Sequence, residues 1–320
     1  AAPQEVGPHL LWSNGPTEVL LLGHYDTVWP RGTLARWPFE VAGDRATGPG
    51  CFDMKAGVAQ IFHALAGQDS LDGVTVLITA DEEVGSPSSQ GLIETVAREA
   101  RAALVTEPSA DGALKTARKG VAHYTLRIQG RAAHAGLDPE LGVNAGVELA
   151  HQVLAVTRLG NPARGTTVTP TVSSAGTTSN TVPAAATLSV DVRTAERVEL
   201  ARVDAALRAL EPVVPGAALS LRQGPSRPPL EGTASAGLYR LAQRLAADLG
   251  QPPLREARVG GGSDGNFTAG IGVPTLDGLG AAGGNAHAEG EWVDLASLPR
   301  RTALLAALVR ELRERGDHAA

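Results

Sequence analysis

A chain of 320 residues with 43% hydrophobic side chains can bury one large core or two smaller ones, because single cores stop growing near about 250 to 300 residues. Its formal charge of −6 is spread without any basic stripe, which speaks against a nucleic-acid partner, and 3% aromatic residues leave no base-stacking platform. One cysteine, Cys51, excludes an internal disulfide and any zinc site made of several thiolates, so candidate metal ligands reduce to His, Asp and Glu.

In chain order, the apolar runs EVLLLG (18–23) and VTVLITA (74–80) predict buried strands. Between them, Val58, Ile61, Phe62 and Leu65 mark one stripe of a helix over 54–66. A helix over 92–101 and a strand over 102–106 continue an α/β layout with a mostly parallel sheet. From Val121 the pattern changes to an alternating strand over 121–130, a helix over 143–159, strands over 166–175 and 184–193, a helix over 195–210 and a strand over 217–222. That order, β-α-β-β-α-β, is the split βαβ (ferredoxin-like) sandwich. The run GPSRPP (224–229) reads as a linker, after which helices over 235–249 and 295–315 and a strand over 273–277 resume the α/β pattern. The expected architecture is a discontinuous α/β domain, 1–116 with 227–320, interrupted by an inserted domain over 117–226. No apolar run reaches the roughly 18 to 20 residues that span a bilayer and no leader opens the chain, so no membrane partner is expected. The cytoplasm is the expected compartment, with periplasm or export as the alternative.

The chemistry-bearing residues sit where strands end. EVLLLG runs into His24-Tyr25-Asp26, VTVLITA into Asp81-Glu82-Glu83, and AALVT into Glu107, while Asp53 stands at a glycine-rich helix entry. Open α/β sheets bind ligands beyond the carboxyl ends of their strands, so these segments should converge. Convergence would crowd the carboxylates of Asp53, Glu82, Glu83 and Glu107, and like charges a few ångströms apart resist ionising together. Divalent cations relieve that repulsion. His24, Asp53 and Glu107 are assigned to one metal and Asp53, Glu83 and His287 to a second, with Asp53 as the bridge. Asp26 is suited to accept a hydrogen bond from the second nitrogen of His24. Glu82 then remains as general base for water attack on a carbonyl. His9, His63, His123, His151 and His318 read as structural or solvated, and Cys51 as a small buried side chain.

The ordered segments GHYDTV, GPGCFDMKAG, TADEEVGS, TEPS, GRAAHAG, SNTVPAAATLSVDVR, GGGSDGN and HAEGEWVD resemble the motif series of the zinc exopeptidases that include glutamate carboxypeptidase, acetylornithine deacetylase and succinyl-diaminopimelate desuccinylase. The likeness spans nearly the whole chain and is nearest to glutamate carboxypeptidase. It implies two Zn2+ per subunit, with Co2+ or Mn2+ as substitutes, and an inserted lid domain through which a homodimer forms. It implies further that His134 polarises the scissile carbonyl across the dimer with Asn180 beside it. Arg193, Arg227, Lys115 and Gly262 fall where such enzymes position substrate, and an arginine fork suits a carboxylate. Such relatives carry several tens of largely helical residues before the GHYDTV strand, where only 22 precede Gly23 here; either the numbering omits a segment or the first layer is reduced.

The expected activity is hydrolysis of an amide bond beside a free carboxylate, releasing glutamate from N-acyl or peptidyl substrates. The alternatives are an aminoacylase, deacetylase or dipeptidase of the same family, or a non-catalytic metal-bound binding protein. The last is disfavoured because Glu82 and both metal shells are intact.

Overall fold

The computed structural model describes residues 7–317, with side chains as far as Glu314. It divides them into two compact units, one running to Arg118 and resuming at Leu230, the other Lys119–Pro229. His318 lies outside the described residues.

The main sheet of the first unit orders its strands Leu10–Asn14, Val74–Thr79, Val19–His24, Ala102–Val105 and Thr275–Leu276. The last four run parallel, and Leu10–Asn14 pairs antiparallel along one edge. Every residue of Val19–His24 and Val74–Thr79 is buried, as continuous apolar runs require when both faces are covered. Alternate side chains feed two layers. Val19, Leu21, Val74, Val76 and Leu104 pack with the helices Ala56–Ala66, Gly232–Asp248 and Leu298–Asp317. Leu20, Leu22, Leu77 and Val105 pack with Ile93 and Ala97 of Gln90–Ala97 and with Phe267 of Gly265–Gly270. At about 1.5–3 kcal/mol for each buried Val or Leu, this double packing fixes the sheet and hence where its carboxyl ends fall.

Two smaller sheets were not foreseen. Gly283–Gly284, Trp292–Asp294, Arg45–Thr47 and Glu40–Ala42 form an antiparallel sheet, and Leu114–Arg118 pairs in parallel with Glu256–Val259. Strands of two to five residues are too short to show alternation, so periodicity does not reveal them. The first of these sheets matters most for the site. The pairs Trp292↔Thr47 and Val293↔Ala46 bring the segment before Trp292 beside the loop after Thr47. The helix expected over 54–66 starts instead at Ala56, because Asp53 (φ −111°, ψ 98°) and Met54 (φ −130°, ψ 37°) leave helical space; the peptide between them is cis.

The second unit is an antiparallel sheet ordered Ala218–Arg227, Gly120–Gln129, Ala185–Thr194 and Thr167–Ala175, with helices Ala145–Thr157 and Arg197–Arg208. Tyr124, Leu126 and Ile128 face its core alongside Leu188, Val190, Val203 and Leu207, while His123, Arg127 and Gln129 point outward. The sequence order is β-α-β-β-α-β. The last strand reaches Arg227, so residues 224–227 of the GPSRPP run are strand rather than linker; Pro225 is accommodated on an edge strand where the register shifts between Gln223 and Ser226.

Candidate metal centre

The first unit presents its acidic and histidine side chains at the carboxyl edge of the main sheet. His24 closes Val19–His24, Glu82 and Glu83 form a short turn just beyond Thr79, and Glu107 follows Val105 closely. Asp53 comes from a turn that opens on Gly50 at φ 71°, where a Cβ would lie 2.2 Å from Thr27 Cγ2, so glycine is required there. His287 arrives from the segment before Trp292 in a left-handed conformation (φ 63°) that a non-glycine residue keeps only when its surroundings hold it.

These five side chains meet. His24 Nε2 lies 3.3 Å from Asp53 Oδ1 and 3.4 Å from Glu107 Oε1. His287 Nε2 lies 3.3 Å from Asp53 Oδ2 and 3.2 Å from Glu83 Oε2. The two oxygens of Asp53 therefore face different imidazoles. Two donors on one tetrahedral zinc, with bonds of about 2.0–2.1 Å, stand about 3.3–3.4 Å apart, which matches these spacings. His24 Nε2, Asp53 Oδ1 and Glu83 Oε1 are moreover buried without a hydrogen-bond partner, a costly arrangement for a polar atom that a cation would satisfy. The donor set fits divalent metal.

The neighbours orient the donors. His24 Nδ1 is 3.1 Å from the main-chain oxygen of Asp26 and 3.4 Å from its Oδ1. Both are acceptors, so Nδ1 carries the proton and Nε2 is the ligating nitrogen. Asp26 Oδ2 accepts from the Glu83 amide at 3.0 Å, tying the two strand ends together. Glu107 turns Oε1 toward His24 and Oε2 toward Arg118, whose Nη2 donates at 3.0 Å. Glu82 is buried too, and one of its oxygens lies within 4.8 Å of ligand atoms of both His24 and Glu107. Proximity alone therefore suits Glu82 to ligation or to proton transfer.

The electrostatics follow from this crowding. Burial alone would depress the His24 imidazole, but the surrounding Asp26, Asp53 and Glu107 carboxylates carry its pKa well above the usual range. Burial raises Asp53, yet His24 and His287 together hold it well below the ordinary carboxylate range. Contact with Asp53 pushes His287 up to about 9. Burial and the Asp53 charge push Glu83 up to about 7. In the protein alone, protons on the imidazoles balance the acids; a cation would take over that role and displace them.

Lys115 and Gly262 lie in the same unit. Lys115 Nζ is 4.0 Å from Glu107 Oε2, and burial with the nearby Arg118 lowers its pKa. The Gly262 carbonyl accepts from Arg118 Nη1 at 3.1 Å. Arg118 itself was missed from sequence. Its buried guanidinium also donates Nε to Asp277 Oδ2 at 2.7 Å and Nη1 to the Gly261 carbonyl at 3.2 Å, joining Glu107 to the GGGSDGN loop. No sequence signal marked it, because its strand, Leu114–Arg118, is too short to show alternation. Asp264, also missed, accepts from Thr79 Oγ1 at 2.7 Å and from Ser86 Oγ, which braces the turn bearing Glu82 and Glu83. Asp81 takes the amides and hydroxyls of Ser88 and Ser89 instead of facing the cluster.

His134, Asn180, Arg193 and Arg227 belong to the second unit. His134 Nδ1 accepts the amides of Gly136 and Leu137, both at 3.1 Å, so the proton of its neutral ring sits on Nε2. The Asn180 carbonyl accepts from the Ala135 amide at 2.9 Å, joining the two loops. Arg193 sets its fork on Asp191, with contacts of 3.0, 3.1 and 3.2 Å. Arg227 ends the edge strand, in register with Val121.

The sequence matches the model of peptidase family M20/M25/M40 over residues 20–311. It is 37% identical to carboxypeptidase G2 of Pseudomonas sp. (strain RS-16), over 93% of this chain and 74% of that one. Its fold is similar to that of aminopeptidase PepT from Bacillus cereus ATCC 10987, with a TM-score of 0.73 at 23% identity over 95% of this chain and 84% of that one. It is similar also to an M20 family metallo-carboxypeptidase from Sulfolobus solfataricus, with a TM-score of 0.68 at 15% identity over 95% and 87%.

Proposed function

The chain belongs to peptidase family M20/M25/M40, a family of metal-dependent hydrolases, and from that premise we propose that it is a two-zinc carboxypeptidase releasing C-terminal glutamate from N-acyl or peptidyl substrates. The observation that carries the dinuclear reading is Asp53, with each carboxylate oxygen 3.3 Å from a different histidine Nε2. His24, Asp53 and Glu107 would hold one cation and Asp53, Glu83 and His287 the other; Co2+ or Mn2+ would substitute. When bound, such a pair polarises the scissile carbonyl and acidifies the attacking water.

The protein's own residues supply the proton traffic. Glu82, buried beside His24 and Glu107, accepts a proton from the attacking water and returns it to the amine nitrogen as the C–N bond breaks. Its neighbour Glu83 faces His287 instead, so the adjacent pair divides ligation from base work. His134, with its proton fixed on the exposed Nε2, suits hydrogen bonding to the carbonyl oxygen, with Asn180 alongside. Carboxylate recognition by Arg193, Arg227, Lys115 and Gly262 is part of the same reading, with the Arg193 fork also engaged by Asp191. A homodimer through the second unit is part of the same reading, supported by the largely exposed edge strand Thr167–Ala175.

The test is Glu82→Gln, assayed with N-acylated Glu, Asp, Ala, Arg and ornithine alongside metal analysis. The variant should retain two zincs and lose at least about 100-fold in kcat, the lower end of what general bases contribute. Full activity would remove Glu82 as base, and release of ornithine in preference to glutamate by the unaltered enzyme would overturn the substrate assignment. No described helix is long and apolar enough to cross a membrane.

A further inference from the structure

We propose that Glu291 is a positioning residue for both metal subsites, acting through the loop that carries Asp53. Its side chain is fully buried, yet it touches none of the five candidate ligands' side chains. Instead its carboxylate gathers four N–H donors. Oε1 accepts the amides of Phe52 and Asp53, both at 2.9 Å. Oε2 accepts the Gly50 amide at 2.9 Å and the Trp29 indole N–H at 3.0 Å.

Three of these donors belong to one short turn, Gly50 to Asp53, and one of them is the amide of Asp53 itself. An acceptor-only group facing four donors is electrostatically matched, and in a buried setting such charge-assisted bonds hold geometry strongly. The loop is irregular, with Gly50 left-handed and Asp53 and Met54 outside helical space, and its backbone bonds, Cys51 N–H to Gly48 O at 3.2 Å and Lys55 N–H to Gly50 O at 3.1 Å, leave the amides of Gly50, Phe52 and Asp53 to Glu291. The Asp53 carboxylate must split its oxygens between His24 and His287, so rotation of this loop would spoil both contacts together. Glu291 also lies on the same segment as His287, ahead of the strand Trp292–Asp294 whose pairing with Arg45–Thr47 brings the two pieces of chain side by side. One segment thus delivers a ligand directly and a second ligand through a clamp. This inference rests on the dinuclear reading above.

The test is zinc binding by chelator-stripped protein, read by competition with a chromophoric zinc chelator and not by turnover. The unaltered protein should take up two zincs, and failure to do so would overturn the dinuclear reading itself. Glu291→Gln turns one acceptor into an NH2 group facing N–H donors, and should weaken both sites by about 10- to 100-fold, the usual effect of losing a group that orients ligands. His287→Ala serves as the contrast, weakening one site and sparing the other. Near-ultraviolet circular dichroism reports whether Glu291→Gln keeps its tertiary packing. Should it not fold, Trp29→Phe removes one donor, leaves the carboxylate, and should lower affinity at both sites by a few-fold. A folded Glu291→Gln that binds two zincs with unaltered affinity, or failing that an unaltered Trp29→Phe, overturns the proposal while leaving the dinuclear centre standing.

Discussion

Replacing Arg118 by Met tests whether the buried charges beneath the metal centre are held in place by one guanidinium. Methionine keeps much of the aliphatic length and removes the charge. Arg118 donates Nε to Asp277 Oδ2 at 2.7 Å, Nη2 to Asp277 Oδ1 at 3.2 Å and Nη2 to Glu107 Oε2 at 3.0 Å. Asp277 is completely buried and would keep Ser263 Oγ, at 2.6 Å, and the Gly278 amide; Glu107 would keep Lys115 at 4.0 Å. Removing one partner of a buried ion pair costs about 3–5 kcal/mol, and the remaining donors place the expected loss near the lower end, at about 3 kcal/mol. Urea unfolding of chelator-treated protein at pH 7 should show that loss as a lower midpoint. The same substitution in an Asp277→Asn background should cost less by at least about 1 kcal/mol, because the charge it strands is already gone. A loss below about 1 kcal/mol in the native background, or no coupling between the two positions, would show that the guanidinium does not anchor these acids.

Two other outcomes are expected. Zinc affinity of the stripped protein should rise with pH between 6 and 8, because His287, held up to about 9 by Asp53, and His24, also raised by its surrounding carboxylates, bind protons that zinc must displace. Affinity that stays constant between pH 6 and 8, measured by the same competition assay, would contradict this. His134→Ala should lower kcat by about 100-fold with zinc content unchanged, since it belongs to the second unit and is not one of the five ligands; an unaltered rate would remove it from the reaction.

Much of the fold is written locally. Continuous apolar runs such as Val19–His24 and Val74–Thr79 can only be buried on both faces, and the 2-residue alternation of Gly120–Gln129 can only lie on a one-sided sheet. Short strands and irregular turns carry no such period. The helix start expected at Met54 and the linker expected over 224–227 were misplaced for that reason, since Gly and Pro signal a break without saying what replaces it.

By itself the sequence determined which residues stand at strand ends and which chemical types they are. His24, Glu82, Glu83 and Glu107 follow apolar runs whose direction in a parallel sheet is fixed by connection rules, so their convergence was legible. Only the tertiary structure decided how the remaining parts join them. His287 and Glu291 reach Asp53 because Trp292–Asp294 pairs with Arg45–Thr47, and Arg118 reaches Asp277 because Lys115 of its strand pairs with Asp277. The physical reason is range. Burial periodicity is a property of neighbours along the chain, whereas an N–H meeting a carboxylate more than two hundred residues away depends on the whole packed structure, and leaves no periodic trace in either segment.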